Sequence, residues 1–253
     1  MNTILPKNAL DQSVVLITGA GRGLGRALAV AFAAQGAWVA ANDLTPINLD
    51  KTVEIIQSRG SGTVRSYLAD ISKDLPVHAL IEQIIEDWGR IDILINNAGV
   101  RPHSSLLDMD GWDWQRTLDV NLSGPFFLMQ AVGQSMRERR QGVIINIAAA
   151  DTPALMANGW GAFFASKMGL VGLSRAAAAE LMAYNIRVNT ICPVEFRLIP
   201  PEIDPQAAGE PNPPLIDTIL NLALFLCSPA ASALTGQVYT IDDSPIIHKE
   251  GQE

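Results

Sequence analysis

The chain has 253 residues, is 48% hydrophobic and 17% charged, and carries a formal net charge of −8. That length suits one sizeable core, and the acidic balance argues against nucleic acid or an anionic membrane as a main partner. Cys192 and Cys227 are too few and too isolated for a disulfide framework or a metal site. Residues 1–12 lack the basic and apolar regions of a secretion signal, and no apolar run reaches the ~18 residues of a membrane span, so a cytoplasmic location is expected.

Strand-like and helix-like segments alternate from end to end. Ser13–Thr18 is a short run rich in Val and Ile that ends at a glycine cluster, the pattern of a buried strand. Arg22–Gln35, rich in alanine and leucine, reads as a helix, and Trp38–Asn42 as the next strand. Helical Asn48–Arg59 leads to a strand at Thr63–Leu68, and helical Val77–Trp88 to one at Ile91–Ile95. A long helix is predicted over Trp112–Arg139, then a strand at Val143–Ile147, a helix over Phe163–Tyr184 and a strand at Ile186–Ile191. A helix near Leu215–Cys227 and a strand at Gln237–Ile241 close the pattern. Strands alternating with helices of this length imply right-handed crossovers and a parallel sheet covered on both faces. The expected fold is a single doubly wound Rossmann-type α/β domain of about seven strands, with no repeat or linker. Pro193–Pro214 is the irregular stretch, because its seven prolines fix too many φ angles for a long helix.

The first strand runs into Gly19-Ala20-Gly21-Arg22-Gly23-Leu24-Gly25 and then a helix. Glycines here let the backbone turn sharply and approach a pyrophosphate at the helix N-terminus. Asp43 ends the second strand, where a carboxylate can bind both adenosine ribose hydroxyls and repel a 2′-phosphate. NAD is therefore expected over NADP, although Arg22 pulls the other way.

Further stretches extend this pattern: Asp70-Ile71, Asn96-Asn97-Ala98-Gly99, Asp119-Val120-Asn121, Ser166-Lys167, Arg187-Val188-Asn189 with Pro193 after it, and Leu234-Thr235-Gly236-Gln237. In this order, from residue 13 to 242, they resemble the short-chain dehydrogenase/reductase family. The resemblance implies hydride transfer between a nicotinamide and a carbonyl or alcohol carbon. It places Asp70 and Ile71 near the adenine, Asn97, Ala98 and Gly99 beside the cofactor, and Pro193 before the nicotinamide loop. It makes Asn121 a proton-relay residue, and Lys167 the group that holds the nicotinamide ribose and lowers the pKa of a tyrosine four residues before it.

That tyrosine is Phe163 here, and a benzene ring carries no exchangeable proton. The family's serine falls on Ala149, or on Ala150 if the following loop is gapped differently. Val194 replaces the glycine after Pro193, and no threonine appears in Glu195-Phe196-Arg197-Leu198. Val194 and the proline-rich segment argue for divergence rather than an isolated pair of substitutions. His103 and Asp151 are the candidate substitutes for the lost proton carriers, each with a plain reading as a solvated loop residue. Arg101, Glu195 and Arg197 are weaker candidates.

Two functions stand near parity. One is an NAD-dependent oxidoreductase with a rewired proton path. The other is a catalytically inactive NAD-binding sensor or the partner subunit of a hetero-oligomer. A homotetramer or homodimer is expected by resemblance, through the helices at Trp112–Arg139 and Phe163–Tyr184. The alanine run Ala176–Ala179 would suit such packing or packing on the chain's own sheet.

Overall fold

A computed structural model describes residues 8–60, 62–150, 159–194 and 214–241. Its elements in chain order are β1 (Val14–Thr18), α1 (Gly23–Ala33), β2 (Trp38–Asp43), α2 (Pro46–Ser58), β3 (Thr63–Leu68), α3 (Asp74–Trp88) and β4 (Ile93–Asn96). Then follow α4 (Gly111–Leu118), α5 (Gly124–Arg139), β5 (Gly142–Ile147), α6 (Gly161–Leu181), β6 (Ile186–Pro193), α7 (Pro214–Cys227) and β7 (Val238–Ile241). The sheet has seven strands in the order β3-β2-β1-β4-β5-β6-β7, and every pairing is parallel. The doubly wound expectation holds.

Both faces of the sheet are covered, so its central strands are apolar without alternation. In β1 every residue is buried. Val15 and Ile17 face the layer of α1, α2 and α7, with Leu28, Ile56 and Leu220 among its residues. Val14 and Leu16 face the layer of α3, α5 and α6, against Ile84, Leu128 and Ala178. The period-two alternation of side chains thus feeds two cores from one strand.

The predicted helix over Trp112–Arg139 is divided. Between α4 and α5 lies a π-helical turn, Asp119–Ser123, and the Gly124 N–H bonds the Asp119 carbonyl five residues back. Pro125 supplies the reason: it has no N–H for the Asn121 carbonyl, so the ordinary four-residue ladder cannot run through this point. Gly124 fits because a Cβ there would lie 2.9 Å from the Ile71 carbonyl oxygen.

A polar chain crosses the interior beneath the site. Register partners Asn96 and Asn146 are joined by a 2.8 Å bond from Asn96 Nδ2 to Asn146 Oδ1. Asn146 Nδ2 in turn donates to Ser174 Oγ on α6 at 2.7 Å. All three side chains are buried, so removing the middle one leaves its neighbours without those partners. Asn146→Ala is expected to cost about 1–3 kcal/mol, seen as a lower urea midpoint at unchanged m-value; an unmoved midpoint would contradict the role assigned to this chain.

Candidate active site

Beyond the carboxyl ends of β1 and β4 the chain leaves in opposite directions, to β2 and to β5, and this point of reversal is the usual place for a ligand in an open α/β sheet. The crevice there has a volume of about 630 Å³. Gly19, Arg22, Gly23, Leu24 and Gly25 line one side of it, with Asp43, Asp70, Ile71, Asn97, Ala98, Gly99, Phe163 and Lys167 around the rest. Gly21 and Pro193 are not among the lining residues. Gly21 donates its N–H to Asp43 Oδ2 at 3.0 Å, and the Pro193 carbonyl accepts from Ala150 N at 3.3 Å.

Close backbone approaches demand the glycines. A Cβ on Gly25 would lie 2.0 Å from the Gly19 oxygen, and one on Gly21 2.6 Å from Asp43 Oδ2. Gly19 also adopts φ +64, a left-handed conformation that favours glycine. The loop is tied to β4 through Thr18, whose Oγ1 accepts from Asn97 N at 3.0 Å and Ala98 N at 3.1 Å. Asn97 Nδ2 returns a 2.9 Å bond to the Thr18 oxygen. Beneath the loop, Arg26 is buried, donating to Gly21 O, to Asn48 O at 3.2 Å and to Thr52 Oγ1 at 3.0 Å. Asp43 also accepts from Leu44 N at 2.7 Å and Thr45 N at 3.4 Å, which holds the carboxylate at the crevice edge. Asp70 Oδ1 accepts from Ser72 N at 3.0 Å and Ser72 Oγ at 2.7 Å. A narrow glycine turn at the start of α1, a fixed carboxylate after β2 and a crevice of this size fit a dinucleotide.

At the other end of the crevice stand the candidate catalytic residues. Lys167 is 2% exposed, and its Nζ donates to the Ile147 carbonyl at 2.8 Å and lies 5.9 Å from the Phe163 ring centroid. Burial is the main cause that pushes its pKa down from 10.5 to about 8, with Cys192 acting in the opposite sense. Asn121 is fully buried in the π-helical turn. Its Oδ1 accepts from Val100 N at 2.8 Å, and its Nδ2 donates to Val100 O at 2.9 Å and Ser166 Oγ at 3.0 Å. The Phe163 ring packs with Ala149, Phe164 and Trp160, whereas Ala150 joins Ala148, Leu170 and Cys192. Between the two alignments, it is Ala149 that faces Phe163.

His103 is exposed and stacks edge-on against Trp160, with ring centroids 4.8 Å apart. Asp151, Glu195, Arg197 and the proline-rich span 195–213 lie outside the described residues. Among the described residues no group of three or more His, Cys, Asp or Glu side chains could hold a metal ion, and no helix is long and apolar enough to cross a membrane.

Residues 13–197 match the short chain dehydrogenase family model. The chain belongs to that family. This short-chain dehydrogenase is 34% identical over 247 residues to a 3-oxoacyl-[acyl-carrier-protein] reductase of Thermotoga maritima, covering 94% of this chain and 99% of that protein. It is 36% identical over 242 residues to the (2S)-[(R)-hydroxy(phenyl)methyl]succinyl-CoA dehydrogenase subunit BbsD of Thauera aromatica, covering 90% and 94%. A metagenomic short-chain oxidoreductase solved in complex with NADP superposes with a TM-score of 0.79 at 29% identity, over 92% of this chain and 99% of that one. The chain is thus of an oxidoreductase family whose solved members include a nicotinamide dinucleotide complex.

Sequence reasoning missed several walls of the crevice in this short-chain dehydrogenase. Asp113, Arg116, Thr117 and Val120 line it from α4 and the turn beyond, and Thr45 and Asn48 line it beside Asp43. The α4 residues recur at spacings of three and four, one helical face leading to Asn121, and that periodicity was the available signal. Arg26 stands in an apolar helix, and nothing in its spacing reveals that it holds the loop.

The buried ammonium has a stability consequence. The unfolded lysine binds its proton up to about pH 10.5, the folded one only to about 8, so the unfolded state holds more protons in between. Stability therefore rises with pH across that window, and below it the burial penalty is fully present. Lys167→Met is expected to stabilise the fold at pH 7, because the relieved burial penalty of about 3 kcal/mol exceeds the roughly 1 kcal/mol of a hydrogen bond such as that to Ile147. Urea titrations at pH 7 and above pH 10 check the sign, because the advantage must shrink at the higher pH.

Proposed function

We propose that this short-chain dehydrogenase is an NAD(H)-dependent oxidoreductase that interconverts a carbonyl and an alcohol, with the substrate proton following a path other than a tyrosine. The observation that carries this reading is the single crevice that joins the glycine turn and Asp43 to Gly99 and Lys167. A bound nicotinamide dinucleotide supplies the hydride donor or acceptor. Gly19–Gly25 and the N-terminus of α1 would take the pyrophosphate, Asp43 the adenosine ribose, and Lys167 the nicotinamide ribose. The Asp43 carboxylate, braced by three backbone N–H groups, favours NAD by repelling a 2′-phosphate; Arg22 at the same edge is the opposing influence.

Phe163 and Ala149 set the limit on rate. General acid/base catalysis contributes about 10²–10⁴ and one donor to the reacting oxygen about 10²–10³. A site without either would be slow unless another group moves the proton. His103 and Asp151 remain candidates for that work, His103 from an exposed position.

The second reading is an NAD(H)-binding subunit without turnover, housed in a homo- or hetero-oligomer in the cytoplasm. It is favoured by the apolar cluster of Ala149, Trp160, Phe163 and Phe164 where a polar pair would otherwise stand. That a similar protein is named as a dehydrogenase subunit agrees with it.

Calorimetric titration with NADH beside NADPH tests the cofactor assignment. NADH should bind at least about tenfold more tightly, a difference of about 1.4 kcal/mol, and Asp43→Ala should erase that preference. Failure of both nucleotides to bind would remove both readings. Phe163→Tyr/Ala149→Ser should raise turnover of a carbonyl panel by about 10² or more; native turnover already equal to that of the double variant would remove the assigned cost of the two substitutions.

A further inference from the structure

The space beside Gly99 is where two polar groups converge. A Cβ placed on Gly99 would lie 3.2 Å from Asn121 Oδ1 and 3.5 Å from Lys167 Nζ, so both groups face the same point on the crevice wall. Lys167, Gly99 and Phe163 all line that crevice. Whatever occupies it meets an amine directly at the place where Phe163 offers only a ring.

We propose that Lys167 Nζ is itself the proton donor and acceptor for the substrate oxygen, replacing the phenol that Phe163 lacks; this rests on the oxidoreductase reading above. In alcohol oxidation the O–H bond breaks and its proton moves to the uncharged amine, forming the ammonium. The carbon's hydride leaves with its electron pair to the nicotinamide, so the alcohol is oxidised, the ring reduced and a carbonyl formed. In reduction the ammonium returns that proton to the developing alkoxide as hydride arrives at carbon.

The surroundings suit such a role. The Ile147 carbonyl on β5 accepts from Nζ and orients it, the Phe163 ring on α6 faces it, and Cys192 on β6 is the titratable neighbour that acts on its charge. Among the described residues Asn121 also stands at this point, its neutral amide fixed by Val100 and Ser166. An amine brought to about 8 by burial exchanges protons near neutral pH, which an exposed lysine does not. Of the other ionisable residues on the crevice wall, Asp43 ends β2 and Asp70 follows β3, their carboxylates held by N–H or hydroxyl donors. Arg22, Arg101 and Arg116 also line the wall, and Asp113 lies on α4 a turn before Arg116.

The test uses the full chain with NADH and three carbonyl probes: ethyl acetoacetate, cyclohexanone and benzaldehyde. Lys167→Ala should lower turnover at least 100-fold, and added ethylamine should restore at least tenfold of it, whereas tetramethylammonium should not. Lys167→Met, which fills the space, should be equally slow and not rescued. The native rate of carbonyl reduction should fall as one group loses its proton near pH 8. Trace acetylation of native protein across pH 6–11, read by mass spectrometry, should place the Lys167 amine at that same midpoint, an outcome independent of turnover.

Several results overturn the assignment: Lys167→Ala within tenfold of native, a slow Lys167→Ala that ethylamine does not rescue, or a Lys167 midpoint above pH 10. If only Phe163→Tyr/Ala149→Ser turns a probe over, the hydride site is sound and the assignment to Lys167 alone fails. If neither protein turns over any probe, the oxidoreductase reading fails with it.

Discussion

Thr18 is the tie on which the site depends. One hydroxyl oxygen at the end of β1 accepts from two successive N–H groups at the end of β4, while Asn97 bonds back to the Thr18 carbonyl. These contacts hold together the two strand ends from which the chain leaves in opposite directions, and the crevice opens beyond that joint. The glycine turn, the Asp43 carboxylate and the Gly99 wall are all referred to this joint. Arg26 reinforces it from below by bonding the loop to α2.

The second constraint is the cost of an interior charge. Lys167 is buried between β5, β6 and its own helix, with a carbonyl oxygen and an aromatic face to receive it. A buried ammonium of that kind is an expense for the fold and an opportunity for chemistry, because desolvation moves its proton affinity towards neutral pH. In the family pattern the lysine acts on a phenol. With Phe163 in that place the same charge faces a ring whose quadrupole can steady it but cannot exchange a proton with it. Ala149, Trp160 and Phe164 pack with that ring as a hydrophobic wall.

Much of the fold was legible because its signals are local and strong. Apolar runs such as Val14–Thr18 can be buried strands, and their alternation with amphipathic helices leaves a parallel sheet as the consistent arrangement. The division of the long helix was also written in the chain, at Gly124-Pro125, but its meaning depends on which carbonyl loses its donor. That carbonyl belongs to Asn121, so the same proline that breaks the ladder leaves Asn121 in a π-helical turn. Arg26 was illegible for a different reason: its partners lie on the loop and on α2, brought under it by folding.

The sequence by itself determined the fold, the crevice that suits a dinucleotide and the absence of a hydroxyl group from Phe163 and Ala149, because each is a property of residue type at a fixed spacing. A glycine turn between strand and helix, a carboxylate after β2 and a phenylalanine before Lys167 keep their meaning wherever the rest of the chain lies. Only the tertiary structure decided that Ala149 rather than Ala150 meets Phe163, that His103 leans on Trp160 at the surface, and that Asn121 and Lys167 share the point beside Gly99. Those are contacts between residues far apart in the chain, set by strand register and helix packing, and no local pattern encodes them.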